Sequence, residues 1–115
     1  MTDNTALQAI DAAVTHNDVV LFMKGTPQAP QCGFSAAVAR VLSQLGVRYA
    51  PVNVLADDAL RQGVKNYSDW PTIPQLYVKG EFIGGCDIVL EMHNGGELEQ
   101  LFKDRGLLTR PPEGS

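Results

Sequence analysis

Two thiols, Cys32 and Cys86, are the only ones in this 115-residue sequence. Cys32 follows a loop carrying Pro27 and Pro30 and precedes a run of helical periodicity, so it falls at a helix amino terminus. Unpaired N–H groups and the helix dipole favour negative charge there, and such positions lower a cysteine pKa from about 8.5 to between about 3.5 and 7.5. Cys32 is therefore the candidate nucleophile or metal ligand. Ser35 stands where a Cys-x-x-Cys redox pair would carry its second thiol. A hydroxyl cannot resolve a mixed disulfide, so any redox cycle at Cys32 depends on an external thiol. Cys86 has two readings, a direct thiol role or a small buried residue whose main chain alone matters, because a helix start favours a thiolate and Asp87 beside it opposes one.

The elements that must position these residues follow from periodicity. Leu7, Ile10 and Val14 predict a first helix from Thr5 to about Val14, with Asp3, Asn4 or Thr5 as caps. Val19 to Met23 is a compact apolar run, the pattern of a central strand buried on both faces. Phe34, Val38, Val41, Leu42 and Leu45 recur at helical spacing up to Gly46, where a helix commonly stops. Tyr49 to Leu55 reads as a strand that Pro51 confines to an edge. Asp57 or Asp58 can cap a short helix holding Leu60 and Val64. Trp70 to Pro74 breaks that helix, and Gln75–Val78 with Glu81–Ile83 forms a hairpin turning at Lys79 and Gly80. Cys86 and Asp87 open a helix with Ile88, Val89 and Met92, and Leu98, Leu101 and Phe102 mark a last one.

A strand, helix, strand series needs a right-handed parallel crossover, and the hairpin can only add antiparallel strands. The expected fold is α/β: a central four-stranded mixed sheet flanked by helices, one domain over residues 5–108, with a loose tail at 109–115. The net charge of −4 and the lack of any basic run argue against nucleic acid. The longest apolar run is far short of the about 18 residues of a membrane span. Because no Lys or Arg precedes Lys24, neither a cationic secretory signal nor an Arg-rich transit peptide is expected, and the expected location is cytoplasmic. His16 and His93 read as surface residues, and Tyr67 as core or rim. Trp70 reads equally as packing the turn before Pro71 or as touching a ligand.

Met23-Lys24-Gly25-Thr26-Pro27, Pro30-Gln31-Cys32-Gly33-Phe34-Ser35, Trp70-Pro71-Thr72-Ile73-Pro74-Gln75 and Gly84-Gly85-Cys86-Asp87, in that order, resemble the monothiol glutaredoxins of the Cys-Gly-Phe-Ser type. The resemblance runs from about Leu7 to Leu107. It implies a thioredoxin-like fold with Pro74 in a cis peptide bond, and a glutathione site lined by Lys24, Cys32, Arg61, the main chain of Ile73, Cys86 and Asp87. The chemistry of each role is sound. Lys24 and Arg61 can pair with the carboxylates of glutathione, Asp87 with its ammonium, and the N–H groups where the helix at Cys86 begins can hold an anion. Taken alone, Lys24 and Arg61 would be solvated surface charges, and exposed ion pairs contribute only about 0–1 kcal/mol.

The resemblance also implies a 2Fe-2S cluster bridging a homodimer, and heterodimers with BolA-like proteins. A cluster needs four strong ligands, usually thiolates, and one chain has two cysteines distant in sequence. One Cys32 and one bound glutathione from each of two subunits make four. Two exchangeable ligands would make such a cluster transferable to iron-sulfur acceptor proteins. The competing function class is an enzyme, a glutathione-dependent thiol-disulfide oxidoreductase that removes glutathione from proteins by a one-cysteine route. A third class is an adaptor with a vestigial glutathione site.

Overall fold

The computed structural model describes residues 4–107. Helix α1 (Asn4–His16) leads into strand β1 (Val19–Met23), helix α2 (Gly33–Leu45), strand β2 (Ala50–Asn53), helix α3 (Asp58–Ser68), the hairpin of β3 (Gln75–Val78) and β4 (Glu81–Gly84), and helices α4 (Cys86–Asn94) and α5 (Glu97–Asp104). The sheet order is β2-β1-β3-β4, with β1 parallel to β2 and the other pairs antiparallel. The expected four-stranded mixed sheet is present, with Pro51 on edge strand β2. The tail expected at 109–115, residue 108 and the cap candidate Asp3 lie outside the described residues.

Alternation along the central strands splits the core in two. Val19, Leu21 and Met23 of β1, with Leu76 and Val78 of β3, pack against Val38 and Leu42 of α2, Val89 of α4 and Phe102 of α5. Val20, Phe22 and Tyr77 face the other way, onto Ile10 and Val14 of α1 and Val64 of α3. All five residues of β1 are buried, as a strand covered on both faces requires. Gly63 lets α3 close on α1, since a Cβ there would stand 2.9 Å from the Ile10 Cδ1. The Lys79-Gly80 turn has positive φ at both residues, 53° and 81°, the pattern of a two-residue hairpin turn.

One expectation needs correction. Strand β2 ends at Asn53, not Leu55, and Val54–Ala56 form a 3₁₀ turn instead. The cause is the Asn53 side chain, whose Oδ1 accepts from the Leu55 N–H at 3.0 Å and so offers the chain a local alternative to the ladder. Phe34, which shares the apolar period of α2, is 63% exposed. Phe34 sits in the first turn of α2 and lines a cleft, whereas Val38, Val41 and Leu42 reach the core.

Candidate functional site

Cys32 is the N-cap of α2, with extended backbone (φ −150°, ψ 133°), and its carbonyl accepts the helix's first bond from the Ala36 N–H at 2.9 Å. The N–H of Ser35, foremost, holds the Cys32 thiol below the usual cysteine range; partial burial opposes this, while the Phe34 N–H, the Lys24 charge and the Ser35 hydroxyl add to it. Ser35 is fully buried. Its Oγ accepts from the Lys24 N–H at 3.0 Å, tying the loop after β1 to the helix that carries Cys32.

That loop is fixed by its own main chain. Gln31 N–H donates to the Lys24 carbonyl at 2.9 Å, and Thr26 and Ala29 exchange bonds of 3.3 and 3.1 Å. Asn53 reaches across from the end of β2, its Oδ1 accepting from the Gly25 N–H at 3.0 Å. Gly25 has φ +91°, and a Cβ on it would meet the Ala29 carbonyl oxygen at 2.6 Å and the Gln31 nitrogen at 2.7 Å. Only glycine fits this turn.

On the other side of the site, the Ile73-Pro74 peptide is cis. Gly85, the N-cap of α4, brings the start of that helix against this loop: a Cβ at Gly85 would lie 3.3 Å from the Pro74 carbonyl oxygen and 3.4 Å from the Trp70 Nε1. A cleft of about 180 Å³ opens between them, with Thr72, Ile73 and Pro74 on one wall, Cys86, Asp87 and Ile88 on the other, and Phe34 and Trp70 at its rim. Burial, first, and then the charges of Asp87 and Cys32 push the Cys86 thiol up. The two cysteine thiols are thus shifted in opposite directions.

Among the predicted site residues, Ile73, Cys86 and Asp87 line the cleft, Cys32 acts on Cys86, and Lys24 acts on Cys32. Arg61 is not drawn in with them. Its guanidinium pairs with Asp58 one turn earlier on α3 at 3.2 Å, and its Nε is buried without a partner. Trp70 both lines the cleft and packs on Phe82, ring centroids 5.7 Å apart. Tyr67 lies at the edge of the second core cluster and donates to the Asp11 carboxylate at 2.8 Å. His16 is exposed, and neither it nor His93 lines the cleft. A wider, open depression of about 570 Å³, bordered by His16, Arg48 and Tyr49, sits at the opposite end of β1 and holds neither cysteine.

Sequence reasoning passed over three supports. Asn53 braces the Gly25 turn, Thr72 lines the cleft, and buried Gln75 donates to the carbonyls of Trp70 and Thr72 at 3.2 and 3.0 Å. A polar residue opening a four-residue β-strand directly after Pro74 was the available signal for Gln75; Asn53 had none, since its partner lies 28 positions away.

Comparison with known proteins agrees with this arrangement. A Glutaredoxin family model matches residues 19–83. The chain is 51% identical over 110 residues to the probable monothiol glutaredoxin 2 of Rickettsia typhi, covering 96% of this chain and 99% of that protein. Its structure is similar to the solution structure of a monomeric truncated mutant of Trypanosoma brucei 1-C-Grx1, with a TM-score of 0.84 and 44% identity over 91% of this chain and 96% of the other. It is also similar to the crystal structure of a buckwheat glutaredoxin-glutathione complex, with a TM-score of 0.80 and 29% identity over 92% and 94% of the two chains. With its thioredoxin-like sheet, a single thiol in Cys32-Gly33-Phe34-Ser35 and relatives of this kind along nearly its whole length, the chain belongs to the glutaredoxin family, among the monothiol glutaredoxins.

Proposed function

We propose that this protein binds glutathione beside Cys32 and, as a homodimer, carries a labile 2Fe-2S cluster as cargo to iron-sulfur acceptor proteins. The observation that carries the reading is the pairing of an activated Cys32 with a Ser35 hydroxyl already used as a strut. Position 35 offers no thiol to displace a ligand or partner bound to the Cys32 sulfur, so the sulfur stays available to an external thiol compound. The glutathione complex of the buckwheat relative supports the choice of that compound.

In this reading Ile73 lends its main chain to the peptide of glutathione, adding it as a short strand. Asp87 pairs with the ammonium of glutathione, and the N–H groups at the start of α4, around Cys86, hold a carboxylate. Lys24 and Arg61 supply cations for the carboxylates, Arg61 by leaving its exposed pairing with Asp58. In such a complex the glutathione sulfur would lie towards Cys32, at the start of α2.

The donor set limits how iron can be held. Among the described residues no three His, Cys, Asp or Glu side chains gather into a metal site. Cys32 provides one thiolate, and Cys86, pushed towards its protonated form, is a poor second. Two Cys32 thiolates and two glutathione thiolates meet the need for four ligands, which fits a cluster shared between two chains. A BolA-like protein could replace one of the two chains. Among the described residues no helix is long and apolar enough to cross a membrane. The cytoplasm, with its reduced thiol pool, suits a site built on free Cys32 and glutathione.

The lowered Cys32 pKa also favours a second reading, removal of glutathione from proteins. Cys32 would attack the glutathione sulfur of a mixed disulfide, breaking that S–S bond and releasing the protein thiolate. A second glutathione thiolate would then attack the Cys32-glutathione bond, leaving glutathione disulfide and the regenerated Cys32 thiolate. Anaerobic reconstitution with iron and sulfide, with and without glutathione, separates the two readings. A visible cluster spectrum that needs both glutathione and Cys32 supports the carrier, and rapid reduction of glutathionylated protein with no iron uptake supports the enzyme.

A further inference from the structure

Gln75 is completely buried at the start of β3, in register with Phe22 of the central strand. A buried glutamine is uncommon and is retained only where its amide is used. Both contacts of its Nε2 run to the same segment, the carbonyls of Trp70 at 3.2 Å and Thr72 at 3.0 Å, while its Oε1 has no partner. The side chain therefore acts through its two N–H donors alone. Trp70 and Thr72 bracket the approach to Ile73, whose main chain enters no turn or loop bond among the described residues. With the neighbouring carbonyls tied down, the peptide groups of Ile73 stay open to a ligand in the cleft that Ile73 lines.

We infer that Gln75 is a positioning residue for peptide recognition: its carboxamide holds the Trp70–Ile73 main chain in the shape that receives the backbone of glutathione. The inference rests on the glutathione reading above and names a residue that does not itself touch the ligand. It separates two properties of the site. Gln75 governs how well a peptidic thiol is held, and has no part in the reactivity of Cys32, which is set by Ser35, Phe34 and Lys24.

The test uses the full chain and two disulfides, glutathione disulfide and hydroxyethyl disulfide. With either, the Cys32 thiolate attacks one sulfur, the S–S bond breaks and the other half leaves as a thiolate; only the first carries peptide groups. Gln75→Met keeps length and apolar bulk but donates nothing. It is expected to weaken glutathione binding in calorimetry by about tenfold, the effect of roughly one lost hydrogen bond. It should slow the reaction with glutathione disulfide to a similar degree, and leave the reaction with hydroxyethyl disulfide and the Cys32 titration as in the wild type. Equal losses with both disulfides, or unchanged glutathione affinity, would overturn the inference while leaving the glutathione reading in place. Failure of the wild type to bind glutathione would overturn that reading and this one with it. Should Gln75→Met not fold, amide exchange in the wild type still decides. Slow exchange of the Gln75 carboxamide protons, with protection of the Ile73 N–H on adding glutathione, supports the role; carboxamide exchange as fast as in an exposed glutamine contradicts it.

Discussion

The main-chain N–H of Lys24 donates to the hydroxyl of Ser35 at 3.0 Å, joining the loop that leaves β1 to the helix that begins at Cys32. The residue in the place of a second thiol is thus a structural strut as well as a neighbour of the sulfur. Ser35→Ala removes the hydroxyl and leaves the Lys24 N–H without this acceptor, but it keeps the Ser35 main-chain N–H that contributes most to the thiolate. The Cys32 pKa should rise part of the way towards the ordinary value of about 8.5 and not reach it. Titration of the thiolate by ultraviolet absorbance checks this, and an unchanged curve would show that the hydroxyl does not act on the sulfur.

Cys32 and Cys86 should also separate in reactivity. Cys32 is shifted down and Cys86 up, so iodoacetamide near neutral pH should label Cys32 well before Cys86, as read by mass spectrometry of the labelled peptides. The stability linkage has opposite signs at the two sites. The contribution of Cys32 is present above its unfolded pKa and lost as pH falls through its lower folded value. That of Cys86 is present below its unfolded pKa and lost as pH rises through its higher folded value. Equal labelling rates would contradict the electrostatic account.

Gly25→Ala should be costly. The left-handed φ of +91° and the approach of the Ala29 carbonyl oxygen to 2.6 Å leave no room for a methyl group. The backbone conformation alone costs on the order of 1–3 kcal/mol for a residue with a Cβ, and the contact adds to it. Denaturant unfolding measures the loss, and a change under about 0.5 kcal/mol would mean that the loop rearranges freely.

Arg61→Ala distinguishes a surface pair from a ligand contact. Asp58 is exposed and Arg61 half-buried, so the loss of their pairing should change stability by only about 0–1 kcal/mol. If Arg61 turns to a glutathione carboxylate, affinity should fall by about 1–3 kcal/mol. Asp58→Ala should leave affinity unchanged or improved, since it frees the guanidinium. Calorimetric titration of both variants with glutathione checks the pair of outcomes; equal affinity of Arg61→Ala and wild type would remove Arg61 from the site.

Much of this was legible in the residues because it depends on neighbours in sequence. The apolar, β-branched run Val19–Met23 reads as a strand covered on both faces, and the prolines before Cys32 together with the period after it put the cysteine at a helix start. What escaped depends on contacts between distant segments. Asn53, whose local bond to Leu55 makes the turn at Val54–Ala56, also braces Gly25, 28 positions away. Phe34 keeps the helical period yet stays exposed and lines the cleft, because period identifies a face and not what covers it. Arg61, named through the resemblance alone, pairs with Asp58 one turn earlier on its own helix.

Whether two chains share one cluster through Cys32 and glutathione is decided by light scattering on protein reconstituted anaerobically, with iron, sulfide and glutathione counted on the same sample before and after chelation. The expected species is a dimer with one 2Fe-2S cluster and two glutathiones, which returns to monomers when the iron is removed, because the bridging ligands bind the dimer and not the separated chains. Cys86→Ser should behave in the same way, and Cys32→Ser should take up no cluster. A dimer that persists without iron, a cluster held without glutathione, or loss of the cluster in Cys86→Ser would contradict it.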